Sequence, residues 1–279
     1  MKLYHLYGLA VVSDFDCPEL TEITPAQADA RGLPTIHLVR AEARLEMPAG
    51  RQLTRWMQVA DDSCLYQFRD TARMLVERPD RIQVEMLPGA AESDMRAYLF
   101  GTGFGTLVHM RGLIPLHVSA IRSPDGVIAF TGPSGAGKST RVAELHFRYG
   151  WPIICDDVAV LDPSDERPLL HAGMNRIKLW SDALERLGID HSRLTPDLLR
   201  QKKFHLLAPE MFAEEACALD ELVAIGGGFK KSGILRGAEA FELFMNAIYR
   251  PDAASIFSQR IKLFSVVSRM SHQIGVRIE

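Results

Sequence analysis

The octapeptide Gly132-Pro133-Ser134-Gly135-Ala136-Gly137-Lys138-Ser139 constrains the fold more than any other segment. It fills the pattern Gly-x-x-x-x-Gly-Lys-Ser/Thr completely, and that pattern works only where a β-strand runs into the start of an α-helix. Its glycines let successive backbone N–H groups turn inward on a phosphate. The helix opening near Lys138 adds the positive end of its dipole. Lys138 brings a mobile cation, and the Ser139 hydroxyl is a hard oxygen ligand suited to Mg2+. Thr140 follows at once and enters the helix. The flanks supply the context: 127–131 reads as a strand, and 140–149 as a helix closed by Gly150. A chance match in a chain of this length has a probability of roughly one per cent. The segment points to nucleotide binding within an α/β domain.

Composition narrows the partners. The chain has 279 residues, 47% hydrophobic and 24% charged, with a formal charge of −3. That is ordinary for a globular chain able to bury a core. No overall basic field exists to draw nucleic acid or an anionic membrane, so anion binding must be local. No run approaches the roughly 18–20 apolar residues of a membrane span. Cys17, Cys64, Cys155 and Cys217 are widely spaced and form no C-x-x-C pair. This excludes a zinc ribbon, gives no disulfide framework, and makes a reducing cytoplasm the simplest compartment. Lys2 and a short apolar run open the chain, but Ser13, Asp14 and Asp16 follow where a signal peptide needs small residues. The opening reads as a first β-strand.

Up to about residue 90 the pattern is short strands, at 3–12, 35–39, 65–68, 74–78 and 81–86, with Pro79-Asp80 as a turn. A helical turn fits 24–30. Between 91 and 110 the period becomes helical through Met95, Leu99, Leu107 and Met110. Gly101-x-Gly103-x-Gly105 lies inside this stretch. Its final spacing is wrong for a dinucleotide fingerprint, and close helix packing is the better reading. From Leu113 strands alternate with helices: strands at 116–121, 127–131, 153–161 and 221–225, helices at 140–149, 181–187, 196–200 and 238–249. We therefore expect a small β-rich N-terminal domain over 1–95 and an α/β P-loop domain over 96–279.

Three further groups carry candidate chemistry. Asp156-Asp157 sits within an apolar strand pattern, where two carboxylates are costly unless something compensates them. A crossover of this length can place their strand beside that of the phosphate loop. One carboxylate can hold a metal, and the other can accept the proton of an attacking hydroxyl. His117 precedes a hairpin turn centred between Pro124 and Asp125. Antiparallel pairing about that centre sets it opposite Gly132, where it can donate to a phosphate or titrate near neutrality. Arg176 and Lys178 alternate in an extended segment and so share a face, which suits clamping phosphates or an acidic substrate tail. Lys202-Lys203 and Lys230-Lys231 read as surface charge, and Gly226-Gly227-Gly228 as a flexible connection.

Leu116-His117, the loop from Gly132 to Ser139, and Cys155-Asp156-Asp157 together resemble the catalytic domain of the HPr kinase/phosphorylase family, in order and nearly in spacing. Thr140 stands where those kinases carry Glu, and Val118 where they carry Gly. Tyr7-Gly8-Leu9, Ser13 and Pro18-Glu19-Leu20 are similar to HPr-kinase-related proteins encoded with lasso-peptide or other ribosomal-peptide pathways, some of which phosphorylate the precursor peptide. The resemblance implies a core like that of phosphoenolpyruvate carboxykinases, with a mixed sheet, and an ATP- and Mg2+-dependent kinase acting on a serine hydroxyl of a protein or peptide. By position it makes Asp156 the general base, Asp157 with Ser139 the metal side, and His117 the phosphate-sensing group. It also implies a homo-oligomer. Two alternatives stay open: a kinase for a small-molecule hydroxyl, including free serine, and a nucleotide-gated binding protein without catalysis. No N-K-x-D or L-S-G-G-Q motif is present, which disfavours GTPases and transporter ATPases.

The loop reading has a direct test. Lys138→Ala removes a charge-assisted contact and should weaken ATP binding by roughly ten- to hundredfold in calorimetric titration. A folded variant that binds ATP as before would contradict it.

Overall fold

Along Ala72–Glu77 every second side chain is buried, the signature of a strand with one face on a core. The structure is a computed structural model, and it describes all residues except 165, 199, 228–231 and 258–259, with the backbone alone at 260 and 261. Two compact units emerge: Met1–Leu113 with Arg250–Arg260, and Ile114–Tyr249 with Ile261–Glu279. The first extends past the boundary expected at 95/96 because the helices after it pack on its sheet.

That first unit is a nine-stranded mixed sheet. In spatial order the strands are Thr21–Glu22, Lys2–Leu6, Leu9–Ser13, Thr35–Arg40, Arg81–Met86, Ala72–Glu77, Ser63–Phe68, Met57–Ala60 and Arg51–Thr54. The single strand expected over 3–12 is a hairpin. Tyr7 and Gly8 have φ of 55° and 73°, the left-handed pair that a two-residue hairpin turn requires. Tyr is not a typical turn residue, so the alternation of its neighbours hid the turn. The helix expected over 91–110 runs as Glu92–Tyr98, a π-helical turn Leu99–Gly103, and Phe104–Met110. A Cβ on Gly103 would lie 2.5 Å from Met74 Sδ, so this glycine seats the helix against Ala72–Glu77. Close packing is therefore the role of that glycine.

The second unit holds another nine-stranded mixed sheet. Its path runs Ile114–Leu116, Ala159–Asp162, Leu169–His171, Cys217–Ala224, Gly126–Thr131, Ser119–Ser123, Ile153–Cys155. Gly275–Ile278 and Gly233–Ile234 are attached beyond Cys217–Ala224. The central strand is paired in parallel with Gly126–Thr131 and with Gly275–Ile278, and Leu222, Val223 and Ala224 on it are wholly buried. Helix Lys138–Tyr149 buries Val142 and Ala143 and returns the chain to Ile153–Cys155. That return strand does not lie beside Gly126–Thr131, as expected, because hairpin strand Ser119–Ser123 occupies the place between them.

A separate three-stranded antiparallel sheet joins Arg176–Trp180, Arg200–Leu207 and Thr195–Asp197. Here the expected helix over 196–200 is replaced by strands. Phe204 and Leu206 alternate with Lys203 and His205, pack on the core and pair with Arg176–Trp180, overriding a local helix preference. Helices Pro251–Phe257 and Arg260–Gln273 have no counterpart in the sequence reading. The expected pair Lys230-Lys231 lies outside the described residues. Among those described, no helix is long and apolar enough to cross a membrane, and all four cysteines are free.

His117, His171 and His205 all belong to this unit, and burial holds each below the ordinary value of 6.5. Lys138 reinforces the shift at His117, and Arg176 and Lys178 do so at His205. The unfolded chain therefore binds more protons than the folded one below about 6.5. Their contribution to stability is present above that pH and is lost as pH falls towards the depressed folded values. Thermal unfolding followed by circular dichroism should show the melting temperature dropping between about pH 7 and pH 5. His171→Gln should flatten that slope; an unchanged slope would contradict the burial argument.

Candidate active site

Two segments of the second unit, 114–123 and 153–162, run antiparallel and are interrupted at the same level. Ile114–Leu116 pairs with Ala159–Asp162, and Ser119–Ser123 with Ile153–Cys155. Between these paired stretches lie His117-Val118 on one segment and Asp156-Asp157-Val158 on the other. The sequence suggests unbroken strands over 116–121 and 153–161. The break arises at Asp157, whose φ of 73° no strand accommodates. Left-handed backbone in a non-glycine residue costs on the order of 1–3 kcal/mol and concentrates at functional positions. The hairpin register is Ser119↔Phe130 through Ser123↔Gly126, which extrapolates His117 to the level of Gly132.

The two aspartates differ sharply. Asp156 is 2% exposed. Its Oδ1 accepts a 2.6 Å hydrogen bond from Ser119 Oγ, and its Oδ2 a 2.8 Å bond from the Lys178 backbone N–H. Asp157 keeps 31% of its side chain exposed and faces Lys178 Nζ at 3.2 Å. Burial opposes its charge, yet Lys178, His117 and Lys203 outweigh that and hold the carboxyl well below the usual range. The general base read at Asp156 thus falls on the enclosed member of the pair, and the metal-side role on the open one.

His117 lies against Asp157. Its Nδ1–H donates to the Asp157 carbonyl oxygen at 2.8 Å, and its backbone N–H to Ala247 O at 2.7 Å. The carbonyl can only accept, so the proton sits on Nδ1 and the neutral ring offers Nε2 as an acceptor. Burial and the Lys138 charge lower its pKa, while Asp157 partly opposes them.

The phosphate loop stands where Gly126–Thr131 ends and Lys138–Tyr149 begins. Gly132, Gly135 and Gly137 have φ of 145°, 89° and 93°. Pro133, Ser134 and Gly135 are exposed, whereas Ala136, Gly137, Ser139 and Thr140 are half-buried. Lys138 is 7% exposed and donates to the Gly132 and Pro133 carbonyl oxygens at 2.8 and 3.3 Å. Burial depresses its pKa against the pull of Asp157 and Asp156. A second glycine, read from sequence as a flexible connection, supports the loop. A Cβ on Gly226 would lie 2.8 Å from Ala136 Cβ, and one on Gly132 would overlap the Ile225 carbonyl oxygen. Ile225 N–H also donates to Thr131 O at 2.9 Å. The floor of the loop is thus the end of the central strand.

The three-stranded sheet contributes charges that sequence reasoning mostly missed. Lys178 Nζ sits 3.2 Å from Asp157 and 3.6 Å from Asp197. Asp197 in turn meets His205 Nε2 at 3.2 Å. Arg176 is 5% exposed and donates to Met174 Sδ at 3.7 Å. Lys203, first read as surface charge, is half-buried, and with Arg200 it disfavours a proton on Lys138. The signal was available in the period-two alternation of Lys203 and His205, but only pairing with Arg176–Trp180 directs it here. Among the described residues no three His, Cys, Asp or Glu side chains converge as a metal cage. The Ser139 hydroxyl is a hard oxygen donor of the kind that suits Mg2+, which retains water and shares substrate phosphates, whereas both oxygens of Asp156 are already engaged.

No family model matches the chain, and no curated protein matches it. Among solved structures the chain is similar to the Hpr(Ser) kinase/phosphatase from Coxiella burnetii, at 12% identity and a TM-score of 0.30, over 43% of this chain and 76% of that one.

Gly226→Val should push Ala136 out of place and strain a position whose φ is 67°. Strain of this kind predicts about a tenfold or greater loss of ATP affinity, with the far-ultraviolet spectrum unchanged. Undiminished affinity in calorimetry would show that the strand end does not support the loop.

Proposed function

We propose that the second unit is an ATP- and Mg2+-dependent kinase that phosphorylates a hydroxyl, with a serine of a protein or peptide as the acceptor. One observation carries this reading: the paired break of two strands gathers His117, Asp157 and Lys178, and, beside burial, the Lys138 charge bears on the His117 ring. A nucleotide-binding loop alone needs no open carboxylate beside it, whereas phosphoryl transfer needs a group to receive the acceptor's proton.

Within this reading the proton-accepting role moves from Asp156 to Asp157. Asp157 has the open carboxylate, so it can orient an acceptor hydroxyl and take its proton as the bond to phosphorus forms, once bound phosphate draws away the cations that weaken it as a base. Asp156 is a positioning residue that ties Ser119 to the backbone of Lys178. Lys138 releases the loop carbonyls to meet phosphate oxygens, and Lys178 and Lys203 add charge where negative charge develops. His117 offers Nε2 to a phosphate-bound proton or water. Ser139 is the residue that would hold Mg2+. When bound, the nucleotide supplies the phosphoryl group and the metal neutralises its charge. Arg176 is enclosed by comparison, and we assign it to shaping the pocket around Lys178.

Asp157→Asn should leave ATP and Mn2+ binding intact and lower transfer from γ-labelled ATP by roughly two to four orders of magnitude. Asp156→Asn should instead lower the melting temperature and the rate together. Loss of metal affinity in Asp157→Asn would return that residue to the metal side. Transfer unaffected by either change would leave a nucleotide-gated binding protein as the better reading.

A further inference from the structure

The N-terminal unit has a concavity of its own, about 650 Å³ in volume. That size suits a small organic molecule. Its wall is aromatic. Phe68 and Tyr98 stack with centroids 4.4 Å apart and planes 15° apart. Tyr66 continues the stack behind Phe68 at 5.6 Å, and Trp56 follows at 6.0 Å. The Tyr66 hydroxyl is hydrogen-bonded to Thr106 Oγ1 at 2.8 Å, which fixes the middle of the ladder. Trp56, at its end, is 40% exposed. A flat ring can extend such a ladder without rearranging it.

Charge defines what else the occupant must carry. Arg55, Arg69 and Arg250 line the same concavity, and among the described residues no acidic side chain does. The chain as a whole is slightly acidic, so this is a local concentration. Among the described residues four non-glycine positions have φ in the left-handed region: Tyr7, Arg69, Asp157 and Arg250. Tyr7 makes a hairpin turn and Asp157 breaks the strands at the candidate active site. Arg69 turns the hairpin between Ser63–Phe68 and Ala72–Glu77, and Arg250 leads into helix Pro251–Phe257; both line this concavity.

We propose that this concavity binds a small planar aromatic anion, its ring stacked on the aromatic ladder and its acidic group held by the arginines. A guanidinium both stacks on rings and grips a carboxylate or phosphate through two parallel N–H bonds, so ring and charge are recognised together. The inference does not rest on the kinase reading, since the phosphate loop belongs to the other unit.

Calorimetric titration of the full chain with 2-naphthoate and 2-naphthyl phosphate tests it, with 2-naphthamide and acetate as the uncharged and ringless controls. The acids should bind, the amide about tenfold or more weakly, and acetate not measurably. The double variant Arg55→Gln, Arg69→Asn keeps a residue tolerant of left-handed backbone at 69; it should lose about tenfold in affinity for both acids while ATP binding is unchanged. Trp56→Ala should weaken the acids and the amide alike. Equal binding of acid and amide, acids unaffected by the arginine variant, or tighter binding of a blocked Glu-Phe-Glu peptide than of either acid would overturn the proposal.

Discussion

The buried carboxylate of Asp156 is the constraint on which the rest of the second unit turns. A charge so enclosed is tolerated only if its oxygens are met, and here one is met by Ser119 Oγ and the other by the Lys178 N–H. Those partners come from a hairpin strand of the large sheet and from the three-stranded sheet. One side chain thus ties two sheets at the level where the paired strands part. With Asp156 fixed, Asp157 takes a left-handed backbone that no strand tolerates, and its carboxylate emerges beside Lys178 and His117.

Charge balance follows from that arrangement. Asp157 is surrounded by Lys178, His117 and Lys203 and stays ionised. Lys178 is shared between Asp157 and Asp197, so neither carboxylate monopolises it. Lys138 occupies the phosphate loop's own carbonyls, a satisfied state that leaves its charge available. Beside burial, the charges of Lys203 and Arg200 also press on Lys138 and lower its pKa. An incoming polyanion would relieve that repulsion as well as form hydrogen bonds.

What was legible in the sequence was local. The phosphate loop, its strand and its helix could be read because each depends on residues a few places apart, and the Pro124-Asp125 turn let the register reach His117 by counting. The paired break at 117–118 and 156–158 could not be read, since it exists only where two distant segments meet. The Tyr7-Gly8 turn was hidden by an alternation that reads the same through a hairpin as along a strand. Thr195–Asp197 and Arg200–Leu207 carried a helical cue in Pro196 that pairing overrode. Gly226 looked flexible because sequence cannot show what a glycine packs against.

The floor beneath the phosphate loop has a consequence for how the molecule is made. Gly132 lies against Ile225, and Gly226 against Ala136, so the cradle takes shape only once Cys217–Ala224 has docked in parallel beside Gly126–Thr131. That pairing joins segments far apart along the chain, and such long-range parallel contacts form late and slowly. A nascent chain emerging from the ribosome would carry the whole phosphate-binding motif long before the strand that shapes it. Competence to hold a nucleotide would then arrive only with the docking of that strand, and would report that the central sheet has closed.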